Sequence, residues 1–107
     1  MGASDRYDSR WTSSSGVGSS YGSNLEVFAP GKSIRVATVT SNTAMDSGTG
    51  TSFAAPFVTG VVAQYLQANP TATPAQVLAW VVSSATTGVL SNIGGFSPNR
   101  LLYSQCN

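Results

Sequence analysis

The chain contains no histidine, a single cysteine and few charges. Histidine is the usual general base near neutral pH and the commonest metal ligand, and none of the 107 residues supplies it. Any hydrolytic chemistry must take its base from elsewhere. One cysteine, Cys106, excludes an internal disulfide and a cysteine-rich zinc site. Charged side chains make up 8% of the chain, against roughly 25% in an ordinary soluble domain. The formal net charge of +1 gives no electrostatic case for nucleic acid or an anionic membrane as partner. Long apolar runs are missing too. Pro56, Thr59, Gln64 and Asn69 interrupt the most hydrophobic stretch, well short of the roughly 20 apolar residues that span a membrane. Met1-Gly2-Ala3-Ser4 has neither the basic start nor the apolar core of a signal peptide, and no internal repeat is visible.

In place of charge there is hydroxyl: 17 Ser and 11 Thr. The charges that exist lie early, from Asp5 to Asp46, with Arg100 alone near the end. From Ser47 to Asn99 there is no Asp, Glu, Lys or Arg, which suggests an interior segment of a body larger than this chain.

Local signals divide the chain. Residues 11–24 are rich in Ser, Thr and Gly, but Trp11 and Tyr21 flank them as apolar anchors, so an ordered loop is expected rather than a linker. Leu25–Ala29 reads as a short strand closed by the Pro30-Gly31 turn pair. Ser33–Thr40, rich in β-branched residues, reads as a second strand, and Ser41–Gly50 as a polar loop. Ser52–Gln67 is apolar on almost every side of a helical wheel, the pattern of a helix buried all round. Pro56 then belongs in its first turn, so the helix should begin near Ser52 or Phe53. Gly60 in mid-helix costs about 1 kcal/mol relative to Ala and suggests a neighbour too close for a side chain. The next helix is better marked. Thr73 is an N-cap, Pro74 stands at the first helical position, and Gln76 completes a capping box. Val77, Leu78, Val81 and Val82 form its apolar stripe, and Gly88 is its expected stop. Asn92–Gly95 reads as a turn and Pro98–Tyr103 as a short closing helix.

The candidate for chemistry is Gly50-Thr51-Ser52-Phe53-Ala54-Ala55-Pro56, at the head of the apolar helix. A serine there sits among unpaired backbone N–H groups at the positive end of the helix dipole. An oxyanion forming beside Ser52 Oγ would be stabilised by the Ser52 backbone N–H. Gly50 and Thr51 would let a substrate backbone approach, while small Ala54 and Ala55 would let the helix sink into a core. The plainer alternative is a capping serine on a core helix. Lys32 as a Ser–Lys base is disfavoured, since it follows a turn and stays solvated and protonated. Cys106 has no base to make it a thiolate.

The same residues, followed by Val58 and Gly60, resemble the nucleophile signature of the subtilisin-like serine proteases (subtilases, peptidase S8), Ser-Gly-Thr-Ser-Met-Ala-(Ala/Thr/Ser)-Pro-His-Val-Ala-Gly. Gly2–Asp8, Tyr21-Gly22-Ser23, Leu25–Gly31, Leu90–Ile93 and Pro98–Leu102 resemble, in the same order, segments of the proteinase K branch. Phe53 stands where Met is usual, Phe57 where a non-catalytic His is usual, and Thr49 where Ser is usual; each is expected to keep the helix buried, as variation within the family rather than loss of function. The resemblance implies an α/β fold, a parallel-sheet core with a buried helix headed by the nucleophile. It implies that residues 1–107 are the C-terminal portion of a catalytic domain and that Ser52 is the acyl-transfer nucleophile. The triad Asp and His and the oxyanion-hole Asn would all lie upstream. A secreted protease acting on protein or peptide substrates is therefore expected of a full-length parent. This stretch alone should be inactive, need the upstream part of its own domain, and expose an apolar patch around Phe53, Phe57, Val61 and Tyr65. Glu26 falls where the branch often has a calcium-binding Asp. The remaining ligands would lie upstream, so calcium is expected at most in the parent, and no metal or cofactor here. Cys106 would pair with an upstream cysteine or stay free. The competing expectation is a non-catalytic truncated module or interaction fragment that begins at Met1.

Overall fold

A computed structural model describes residues 1–105; Cys106 lies outside them. The described chain folds as a mixed α/β layer. Strands β1 (Gly2–Ser4), β2 (Phe28–Pro30), β5 (Thr86–Thr87) and β6 (Arg100–Leu101) form one sheet in the order β1-β2-β6-β5. The first three run parallel, and β5 pairs antiparallel with β6. A separate hairpin joins β3 (Ile34–Ala37) to β4 (Met45–Gly48), with Ile34 opposite Gly48. Helices α1 (Thr51–Ala68) and α2 (Pro74–Ser84) connect the hairpin to β5.

Side chains alternate across β2, as the period of a strand requires. Ala29 points to the helical side, where it packs with Ala3 of β1 and Ala54 of α1, all three fully buried. Val27 joins Val81 and Ala85 at α2 on the same side. Phe28 faces the opposite way and is buried with Leu25 and Leu90. Three alanines at one contact bring the head of α1 close onto the sheet. The outward edge of β1 is closed from within the chain. Ala3 N donates to Ser19 Oγ at 2.7 Å, and Ala3 O accepts from Trp11 N at 2.9 Å. Residues 11–20 are thus an ordered loop, with Trp11 packed against the Ala3–Ala29–Ala54 cluster. Arg10 binds this loop to the far end of the chain. Its Nη1 donates to Ser19 O and its Nε to Asn92 O, both at 2.9 Å, and the guanidinium lies 4.8 Å from the Tyr21 ring centroid.

Several expectations need correction. Ser41–Gly50 contains β4, whose backbone pairs with β3 although Met45-Asp46-Ser47-Gly48 has no β-branched residue. Pro98–Tyr103 is not a helix, because the sheet takes Arg100–Leu101 as β6 between β2 and β5. Gly88 does not stop α2, which ends at Ser84 where Thr86–Thr87 enter the sheet; Gly88, at φ +76°, turns the chain beyond β5. Pro56 is the sixth residue of α1 rather than one of its first turn. It has no N–H to offer the Ser52 carbonyl one turn back. Gly60 faces open space, since a Cβ built there meets nothing within 4 Å. Nor is α1 buried all round: only Ala54 and Val61 are buried along it. Phe57 is 41% exposed, whereas Val61, at 7%, leaves the expected patch. Tyr65 stacks on Trp80 with ring centroids 4.5 Å apart, tying α1 to α2.

Candidate active site

The head of α1 is presented by backbone, not by a side-chain cap. Its N-cap is Gly50 at φ +147°, a conformation that a side chain would strain, and among the described residues no side chain accepts from the first-turn amides. Phe53 N donates to Gly50 O at 3.0 Å. Ser52 is therefore the second residue of the helix and not its cap, which removes the capping-serine alternative. Ser52 is solvent-exposed, while Ala54, two residues on, is fully buried. An exposed hydroxyl is thus carried on a rigidly seated turn, beside amides at the positive end of an 18-residue helix.

Two hydrogen bonds hold the preceding loop. Gly50 N donates to Gly31 O at 2.8 Å, and Ser33 N donates to Thr49 Oγ1 at 3.0 Å. Gly31 has no room for a side chain: a Cβ there would lie 2.5 Å from Ala3 Cβ and 2.8 Å from Gly50 O. The ring of Phe53 occupies the space a Gly48 side chain would need. The structure thus gathers Gly50, Thr51 and Ser52 at one place, and adds Gly31, Ser33 and Thr49. Pro30-Gly31 marks a turn in the sequence, but nothing local pairs it with Thr49 and Gly50. That pairing comes from the β3–β4 register.

Lys32 is exposed and lines a polar pocket with Asp5, Arg6, Tyr7 and Ser33. Glu26 is exposed and lines an apolar cavity with Met1, Val27 and Val58. Among the described residues no three acidic or thiol side chains come together to hold a metal ion. No helix among the described residues is long and apolar enough to cross a membrane.

The profile of the subtilase family (peptidase S8) matches residues 2–100. An extracellular serine proteinase of Thermus sp. (strain Rt41A) is 52% identical over 86 residues, which are 80% of this chain and 21% of that protein. An alkaline proteinase of Hapsidospora chrysogena is 49% identical over 96 residues, 90% of this chain and 23% of that protein. The crystal structure of a cold-adapted subtilisin-like serine proteinase superposes with a TM-score of 0.85 at 37% identity, covering 99% of this chain and 36% of that one. The chain thus spans about a fifth of the length of these curated relatives.

Proposed function

Because the chain belongs to the subtilase family, we propose that it is the nucleophile-bearing, C-terminal portion of a secreted serine endopeptidase of the proteinase K-like branch. The observation that carries this reading is Ser52: exposed, second in α1, and set among first-turn amides that no side chain caps. Ser52 Oγ attacks the scissile carbonyl carbon and forms the acyl-enzyme. Its proton passes to a histidine, and from there to the departing amine. The Ser52 N–H is one donor to the oxyanion, and Gly50-Thr51 is the approach for the substrate backbone. No residue here supplies the base, so the triad His and Asp and the second oxyanion donor belong to the upstream part of the same domain. Calcium, if the parent binds it, belongs there as well.

The flanks of α1 support the need for that upstream part. On one side Val58, Val62 and Leu66 line an apolar cavity of about 490 Å³ together with Val77, Leu78 and Val81 of α2. On the other, Phe53, Phe57 and Gly60 line a second groove with Ile34 and Val36 of the hairpin. A helix apolar on both flanks is built for burial on more sides than this chain covers.

The test is active-site labelling by a fluorophosphonate and hydrolysis of a chromogenic peptide. The complete catalytic domain should label and cleave, and Ser52→Ala should abolish both. The 107-residue chain alone should do neither. Ser52-dependent cleavage by the isolated chain, or cleavage by the complete domain carrying Ser52→Ala, overturns the assignment.

A further inference from the structure

Thr49 lies three residues before Ser52, outside the Gly50–Pro56 segment, and its hydroxyl is committed to a defined partner. Ser33, whose N–H it accepts, is a non-glycine residue at φ +56°. A left-handed serine is strained and persists only where its surroundings determine it. Here the surroundings are the hairpin register on one side and Thr49 on the other. One residue along, Gly31 O receives the Gly50 amide in a space where not even a methyl group fits. The turn 31–33 and the loop 49–50 are therefore locked by two antiparallel contacts, one through backbone and one through a hydroxyl. The chain leaves that lock at Gly50 and enters α1 immediately. With no side-chain cap at the helix head, the direction of the Ser52 amide and of Cα–Cβ at Ser52 follows from how Gly50 is held and how Ala54 is seated.

We infer that Thr49 is a positioning residue for the reaction proposed above: its hydroxyl, by accepting the Ser33 N–H, fixes the loop that aims Ser52 and its amide. The inference rests on the nucleophile assignment, but its structural half can be read separately. A hydroxyl is what the contact needs, so Thr49→Ser should preserve it and Thr49→Val should remove it with little change of volume. Ser33, Thr49 and the bond between them are solvent-exposed, so water competes for the contact and the expected effect is at the low end for a hydrogen bond, roughly twofold to threefold.

In the complete catalytic domain, Thr49→Val should lower kcat roughly twofold to threefold with KM within about 1.5-fold, and Thr49→Ser should stay within about 1.5-fold of the parent in both. Amide hydrogen exchange at Ser33 should accelerate by a similar factor in Thr49→Val and not in Thr49→Ser. Unchanged kcat in Thr49→Val, or an equal loss in Thr49→Ser, overturns the positioning role. Unchanged exchange at Ser33 overturns the tether itself. If instead Ser52→Ala leaves hydrolysis intact, the nucleophile assignment fails while the exchange data still decide the tether. A Thr49→Val protein too unstable to assay is replaced by Thr49→Ala with the same readouts.

Discussion

The two helices of this chain are specified in opposite ways. Helix α2 carries its own instructions. Thr73 Oγ1 accepts from Gln76 N, Gln76 Oε1 accepts from Thr73 N, and Pro74 opens the first turn. Helix α1 carries almost none: a glycine N-cap, an interior proline, a mid-helix glycine and no charge in either end turn. Its position comes from outside, through Ala54 on the sheet, Tyr65 on Trp80, and the lock between Gly31 and Gly50. A helix whose head is the working surface proposed above cannot spend its first amides on a cap. The stability that a cap contributes to α2 must reach α1 through packing instead.

The contrast is sharpest at Gly31. Gly31→Ala forces a methyl group against Ala3 and the Gly50 carbonyl, and crowding of that kind costs about 1–3 kcal/mol. The expected result in the complete domain is a lower denaturation midpoint together with lost activity, because the displaced group holds the head of α1. Retained activity at a lowered midpoint would show that Gly50 is aimed by something else. Thr73→Ala removes the side-chain half of the capping box, the Thr73 Oγ1 that accepts from Gln76 N, and should cost about 1 kcal/mol in the same unfolding experiment, with kcat unchanged. A loss of activity there would mean that α2 also aims the site. Gly60→Ala carries the smallest effect and a diagnostic sign. On a helix face left open, alanine gains about 1 kcal/mol over glycine. If the upstream part of the domain seats its backbone on this face, the substitution should instead lower the midpoint of the complete domain. A raised midpoint would place Gly60 in solvent.

The same contrast explains what the sequence disclosed. Helix α2 was readable from Thr73, Pro74 and Gln76 because a cap is a local interaction. The segment Gly50–Pro56 was readable as a motif, and its serine stands exposed at a helix head as the motif implies. Strands β4 and β6 were not readable. Met45–Gly48 and Arg100–Leu101 have no strand composition of their own and extend only because β3 and β2 pair with them. Pro98 even mimics a helix start. Gly60 misleads in a different manner: its absent side chain implies a close neighbour, and the described residues provide none. The Thr49–Ser33 bond was out of reach for the same reason as β4, since register decides which polar loop residue meets which turn.

Among the described residues, Arg10 joins three parts of the chain without a carboxylate. Its partners are the Ser19 and Asn92 carbonyl oxygens and the face of Tyr21. Peptide carbonyls do not titrate, so acid has no partner here to neutralise. The fork geometry of the guanidinium, which serves two oxygens in different directions while its plane lies near a ring, is one that an ammonium group does not reproduce. This clasp between the first and last thirds of the chain should therefore outlast acidification that dissolves ordinary ion pairs, and Arg10→Lys should open it although the charge is kept.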